Sequence, residues 1–161
     1  MNSKKLFIWG FLFMSVIGTL LHFVYEWSGN NSIVRLFAPW NESTWEHMKL
    51  LFFPMLVLVL FLFFKLPEQS PIPVALSIGT LVGLALIPIL FYTYTGVLGF
   101  SVMAIDIAIF YISVLGVFLT GWFLKDNRKL ANRNGLLLTC LVILAILFFI
   151  FSYYPPEIGL F

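Results

Sequence analysis

Five long apolar stretches constrain the fold of this chain more than any other feature of its sequence. Of its 161 residues, 61% are hydrophobic and 10% are charged, and the mean hydropathy is +1.04. A soluble domain would expose far more charge, so the solvent that suits this chain is lipid. Because a helix needs about 20 apolar residues to cross a bilayer, we predict an all-α polytopic integral membrane protein. It forms a single domain over residues 1–161, with spans at about 6–25, 48–66, 72–92, 97–124 and 135–152.

The distribution of cations predicts how these spans are oriented. Seven of the nine lysines and arginines precede the first span, lie at the end of the second, or lie between the fourth and fifth. Only Arg35 and Lys49 fall between the first span and the beginning of the second. Because cytoplasmic loops are enriched in cations, we expect a multi-pass protein of the cell membrane with a cytoplasmic N-terminus and an extracytoplasmic C-terminus. Membrane lipids are then the expected partners, and the net charge of +2 requires no nucleic acid.

The segment between the first two spans carries patterns of its own. Residues 33–40 are apolar except for Arg35 and contain Pro39, which is typical of a short interfacial or re-entrant helix. Ser43 precedes Glu46 by three positions, a capping-box pattern that predicts the start of the next helix.

Two further patterns predict close contacts. Gly79 and Gly83 are four residues apart in the third span and predict a face against which another helix packs closely. That pattern favours packing within one chain, with a homodimer contact as the alternative. The apolar tail 153–161 is expected to fold back over the outer end and to bring Glu157 toward the polar residues there.

Polar side chains concentrate near the outer ends of the first two spans. His22 and Glu26 are four residues apart and therefore share one face of a helix. Glu42, Glu46 and His47 lie at the start of the second span. Ionisable groups beside hydrocarbon are energetically unfavourable, which makes these residues candidates for a functional site.

Asp106 extends this set of candidates. In a fourth span that starts at residue 97, it would lie roughly 14 Å deep and would have to face protein or water. We therefore predict a pocket open toward the outer face. Its catalytic residues would be His22, Glu26, Glu46 and Asp106, and its ligand-binding residues Asn41, Glu42, Trp27, Trp45 and Tyr92.

Three kinds of chemistry fit these residue types. Imidazole nitrogens and carboxylate oxygens could coordinate Zn²⁺ or another divalent cation, although the spacing matches no established zinc motif. The candidate metal ligands are His22, Glu26, Glu46 and His47. The same groups could instead transfer protons without a metal. In the third interpretation the charges only stabilise helix ends, with Glu46 paired to Lys49.

Residues 21–27 (LHFVYEW) and 45–49 (WEHMK) resemble the EXPERA group, which contains emopamil-binding protein and the sigma-2 receptor. The resemblance implies a five-helix membrane fold and proton transfer of the sterol-isomerase kind. It assigns acid–base roles to His22, Glu26 and Glu46, with Trp27 or Trp45 near the substrate. The whole chain also resembles an uncharacterised group of small bacterial membrane proteins, through the segment 41–54 (NESTWEHMKLLFFP). That second likeness implies no activity.

The sequence supports one principal functional hypothesis and three alternatives. The principal hypothesis is a pocket that binds a lipid-like or amphipathic small molecule, with isomerase-like acid–base catalysis as its sharper form. The alternatives are a metal-binding membrane hydrolase, a transporter for protons or divalent cations, and an accessory subunit of a membrane complex. Transport is disfavoured because few polar residues continue toward the inner side of the third and fourth spans.

Overall fold

The computed structural model describes residues 3–161, which form long antiparallel α-helices joined by short connections. The helices are α1 (Ser3–Trp27), α2 (Thr44–Lys65), α3 (Ile72–Leu98), α4 (Met103–Leu124) and α5 (Asn134–Tyr153). Within the described part of the chain, these five helices are long and apolar enough to cross a membrane, as the sequence predicted. The two ends of the bundle carry different side chains. The histidine end carries His22 and His47, and the basic end carries Lys65 and Lys125.

The connection between α1 and α2 differs from its prediction. A short helix was expected over residues 33–40, but only the single 3-10 turn Val34–Leu36 forms there. The capping prediction is confirmed at the other end of the connection, because the Ser43 side chain accepts a hydrogen bond from the Glu46 amide at 3.3 Å. The Ser43 amide bonds to Asn41 Oδ1 at 3.0 Å. The Glu46 side chain bonds instead to Lys49 and to the Trp40 amide.

The boundary between α3 and α4 lies later in the chain than predicted. Helix α3 continues past residue 92, where the third span was expected to end, and stops at Leu98. The next residue, Gly99, caps the helix with a left-handed φ of 80°, which suits glycine. Helix α4 starts only at Met103. Asp106 is consequently the fourth residue of α4, so the predicted depth of this carboxylate is wrong.

Glycines bring α3 and α4 into close contact. A Cβ added at Gly79 would lie 2.3 Å from the Val117 carbonyl oxygen, and one at Gly83 would lie 3.0 Å from the Ser113 carbonyl oxygen. Without side chains at these two positions, the backbones can approach each other. The glycine pattern thus packs within the chain, as the sequence favoured.

The outward faces of the helices are apolar. Helix α1 exposes Ile8, Trp9 and Val16, and α5 exposes Ile143 and Ile146. The interior is also apolar, with Leu51, Phe52, Val114 and Val117 buried in one core cluster. A bundle that is apolar both inside and outside matches an environment of lipid rather than water.

The C-terminal tail folds back over the histidine end, as predicted. The Trp45 amide donates a hydrogen bond to the Leu160 carbonyl at 3.0 Å. The Phe161 ring lies 5.0 Å from the Trp45 ring. The Tyr92 hydroxyl donates to the Gly159 carbonyl. Glu157 is exposed on this tail, and its approach to the polar residues stays a prediction.

Candidate metal centre

Two histidines from different helices meet at the histidine end. His22 lies in the second-last turn of α1 and His47 in the first turn of α2. The 28–43 connection returns the chain so that these turns are adjacent, and the two ring centroids are 5.3 Å apart with an angle of 33° between the rings. The sequence predicted that both would lie near the same end of the bundle.

The surroundings of His47 determine which ring nitrogen carries a lone pair. Its Nδ1 lies 2.9 Å from the Ser43 carbonyl oxygen. A carbonyl can only accept, so Nδ1 carries the hydrogen and, in the neutral ring, Nε2 is left as an acceptor. Histidines that bind metals commonly donate their second N–H to a backbone carbonyl in this way.

Glu42 faces that free nitrogen. Its Oε2 lies 3.4 Å from His47 Nε2. A carboxylate oxygen and an imidazole lone pair attract each other only when a proton or a cation lies between them. Zn²⁺ holds nitrogen and oxygen ligands at about 2.0–2.1 Å in a tetrahedron, so that ligand atoms are about 3.4 Å apart. The observed separation fits a shared cation.

His22 completes a set of three candidate ligands. Its Nδ1 is buried and has no hydrogen-bond partner among the described residues. One ligand atom from each of His22, Glu42 and His47 can be chosen so that all three lie within 4.8 Å of one another. This set differs from the predicted one, because it contains Glu42 and neither Glu26 nor Glu46.

A small cleft opens beside the histidines. Its volume is about 100 Å³. Residues that line it include His22, Tyr25, Glu26, Trp40, Asn41 and Glu42. The sequence correctly placed His22 and Glu26 on one face, one turn apart. The cleft has room for a few water molecules at about 30 Å³ each, whereas pockets for drug-sized ligands measure about 300–1,000 Å³.

Glu46 lies outside this cleft, in a buried ion pair. It is 2% exposed, and its Oε2 accepts a hydrogen bond from Lys49 Nζ at 2.6 Å. Lys49 is 0% exposed and also donates to the Arg35 carbonyl at 2.9 Å and to Ser152 Oγ at 2.5 Å. The predicted pairing of Glu46 with Lys49 is therefore confirmed. The structure does not place Glu46 with the histidines as a metal ligand or a pocket carboxylate.

The ion pair also fixes the segment that carries Glu42. The Trp40 amide donates to Glu46 Oε2 at 3.4 Å. The Arg35 guanidinium lies 3.8 Å from the Trp40 ring centroid and 4.8 Å from that of Tyr153, and donates to the Ser152 carbonyl at 2.6 Å. Sequence reasoning missed Arg35 and Ser152. One available signal was that Arg35 and Lys49 are the two cations at the end of the bundle that is poor in cations.

A sequence profile matches the chain over residues 1–161. The chain belongs to DUF6512, a family of unknown function. This membership agrees with the expected likeness to an uncharacterised family and assigns no activity. The DUF6512 chain matches no curated protein and no solved structure, so no match links it to the EXPERA group.

Asp106 of the DUF6512 chain lies apart from the histidines in its contacts. It occupies the first turn of α4 and accepts a hydrogen bond from the Tyr94 hydroxyl. The same hydroxyl accepts from the Val102 amide at 3.1 Å. A carboxylate at a helix N-terminus is favourable because it complements the helix dipole. Asp106 therefore links the ends of α3 and α4 through Tyr94.

The three aromatic residues predicted to contact a ligand are placed differently from one another. Trp27 is exposed and stacks on Phe23, with ring centroids 5.7 Å apart. Trp45 is buried beneath the tail. Tyr92 bonds to the tail and to Thr44 Oγ1. None of the three is among the residues that line the described cleft.

Replacing Tyr94 with phenylalanine tests the structural role of Asp106 in DUF6512. The change removes a hydrogen bond to a charged group, which contributes about 1.5–3 kcal/mol. We expect a lower melting temperature in detergent, measured by tryptophan fluorescence, and unchanged metal binding. Tyr154→Phe is the matched control, because Tyr154 is exposed and should tolerate the same change. Loss of metal binding in Tyr94→Phe would instead connect Asp106 with the histidines.

Proposed function

We propose that this member of DUF6512 is an integral membrane protein that binds one divalent transition-metal ion, of which Zn²⁺ fits the ligands best. His22, His47 and Glu42 would hold the ion through two imidazole nitrogens and one carboxylate oxygen. The observation that supports this most directly is the pair of acceptor atoms, His47 Nε2 and Glu42 Oε2, that face each other at 3.4 Å. The buried His22 Nδ1, which has no hydrogen-bond partner among the described residues, adds a third nitrogen or oxygen atom that could bind the ion.

The membrane part of the proposal rests on the apolar surface and on the distribution of charge. Seven cations lie at or near the basic end, in helix ends and connections that the sequence assigned to the cytoplasmic side. The two at the other end, Arg35 and Lys49, have their charged groups engaged in the network described above. A cytoplasmic basic end follows from the positive-inside rule. The metal centre would then face the extracytoplasmic side of the cell membrane.

Three protein ligands leave a tetrahedral ion one open position. Zinc sites of this kind hold a water molecule there and activate it for attack. The cleft beside the ligands has room for that water, and Glu26 and Asn41 on its walls could orient it by hydrogen bonds. We therefore favour hydrolysis of a small polar group at the membrane surface over binding of a whole lipid, for which a cleft of about 100 Å³ is too small.

Isomerase-like proton transfer has less support from the geometry. It would need Glu46 beside the histidine, but Lys49, Trp40 and Ser152 surround that carboxylate. His22 and Glu26, which are four residues apart on α1, do line one cleft. Proton transfer thus remains a second use of His22 and Glu26, if the site operates without metal.

The metal content of purified protein tests the proposal. Protein carrying a tag without histidines is incubated with Zn²⁺ in detergent, dialysed and analysed by mass spectrometry for metals. We expect about one ion per chain in the wild type, as for a single zinc site. We expect loss of the ion in the double variant His22→Ala, His47→Ala and in Glu42→Ala.

Glu157→Ala provides the matched control, because it removes an exposed carboxylate of the tail. It should keep the ion, with a melting temperature equal to that of the wild type. Wild-type protein that binds no ion, or Glu42→Ala protein that binds as much as Glu157→Ala, would contradict the proposed ligand set.

A further inference from the structure

The basic end carries a second and larger cleft, of about 700 Å³. The connection between α2 and α3 contributes Pro67 and Ser70 to its wall, and the connection between α4 and α5 contributes Lys125, Asp126 and Arg128. Its size lies within the range of about 300–1,000 Å³ that is typical of small-molecule sites. It is separated from the metal centre by the length of the bundle.

The wall of this cleft carries a positive charge. Lys125 and Arg128 contribute two cations against one carboxylate, that of Asp126. Lys125 forms an ion pair with Asp126, and its Nζ lies 4.4 Å from the Trp122 ring centroid. These contacts hold the lysine beside the cleft, while Arg128 is exposed. An exposed guanidinium can bind two oxygens of a phosphate at once.

The position of the cleft along the helices indicates which kind of anion it would bind. Helix α2 ends at Lys65, and Lys125 directly follows the last residue of α4. Phe64 lies one position before Lys65, and Phe123 lies two positions before Lys125. These two residues are 79% and 80% exposed. Apolar rings therefore point outward just below the level of the cations. In a bilayer, acyl chains would lie beside the rings and phosphates beside the cations.

We propose that this cleft binds the headgroup of an anionic phospholipid, with Lys125 and Arg128 on its phosphate. Ser70 and Gln69, which also line the cleft, can hydrogen-bond to headgroup hydroxyls. Basic pockets between membrane helices on the cytoplasmic side commonly bind anionic headgroups. The proposal rests on the membrane topology but not on the metal centre, so measuring metal and lipid on the same preparation separates the two outcomes.

Native mass spectrometry of detergent-purified protein with added lipid provides the test. We expect phosphatidylglycerol to bind about thirtyfold more tightly than phosphatidylcholine, since two cations near an anionic lipid contribute about 1 kcal/mol each. Arg128→Gln should lower the affinity for phosphatidylglycerol about fivefold, and Lys125→Gln should lower it as well. Lys129→Gln is the matched control, because the neighbouring Lys129 is exposed and does not line the cleft. It should change the affinity less than twofold.

Three results would overturn the proposal. Equal affinity for the two lipids would show that the cleft does not select an anionic headgroup. Equal losses in Arg128→Gln and Lys129→Gln would show diffuse attraction to the basic end rather than a site. Displacement of phosphatidylglycerol by millimolar glycerol 3-phosphate would identify a soluble phosphate compound as the occupant. Melting temperatures equal to that of the wild type confirm that the variants are folded.

Discussion

Replacing Lys49 with methionine is expected to lower the free energy of unfolding by about 3–5 kcal/mol. Lys49 is completely buried, and its ammonium group donates to a carboxylate, a hydroxyl and a backbone carbonyl. Methionine has a similar length but no charge, so the change leaves the Glu46 carboxylate buried without its cation. Removing one partner of a buried pair is the unfavourable case, because the other charge stays desolvated.

The double variant Lys49→Met, Glu46→Gln separates the charge from the packing. Glutamine keeps an oxygen that can accept from the Trp40 amide, and no ionised group is then left unpaired. We expect the double variant to recover at least about 2 kcal/mol of the loss, since neutral replacements of buried ion pairs are often well tolerated. Detergent unfolding followed by tryptophan fluorescence measures the differences, and Trp45 is a suitable reporter because it adjoins Glu46 in α2.

Lys65→Met is the matched control for this experiment. It makes the same substitution in the same helix, at an exposed position. It should change the stability by less than about 0.5 kcal/mol, as substitutions on the surface usually do. If the losses of unfolding free energy in the single variants Lys49→Met and Glu46→Gln simply add in the double variant, the result contradicts a direct ion pair.

Alanine at Gly79 is expected to destabilise the bundle by about 1–3 kcal/mol. Its Cβ would lie 2.3 Å from the Val117 carbonyl oxygen, and further atoms of the Val117 backbone lie within 3.2 Å. A backbone carbonyl cannot rotate away as the end of a flexible side chain can. Helices α3 and α4 would have to move apart, which reduces the contact between them along their length.

Gly96→Ala is the matched control within the same helix. A Cβ at Gly96 meets nothing within 4 Å, so the change should be neutral or stabilise the helix by up to about 1 kcal/mol. Melting temperatures of both variants in one detergent give the comparison. If Gly79→Ala is as stable as Gly96→Ala, the two helices are not held in close contact by glycine.

The sequence predicted the helices well because their signal is long and local. Each apolar stretch extends over many residues, so an error of a few positions at its ends does not change the number of helices. The capping residue Ser43 and the glycine pattern also act over four or five positions. The helix boundaries were predicted less accurately. Because the start of α4 was placed too early in the chain, the depth of Asp106 was predicted wrongly as well.

The candidate site could be predicted only in part, because its geometry depends on a connection. Glu46 and His47 are adjacent, so their side chains diverge by about 100° around the helix axis. Only one of them can face His22. The sequence contained no information about which of the two does so. Glu42 could not be placed either, because it precedes the helix in irregular backbone. Ser152 was missed for a different reason, since it lies 103 residues from Lys49 and no periodic pattern connects the two.

The separation between Lys49 and Ser152 has a consequence for the synthesis of the protein. At about 5–20 residues per second, the ribosome makes Ser152 roughly 5–20 seconds after Lys49. During this interval two of the three partners of the ammonium group have already been made, the Arg35 carbonyl and the Glu46 carboxylate, which is one turn earlier in the same helix. The nascent second helix therefore carries its own counterion when it leaves the ribosome. The last helix then completes the shell around the charge as synthesis ends.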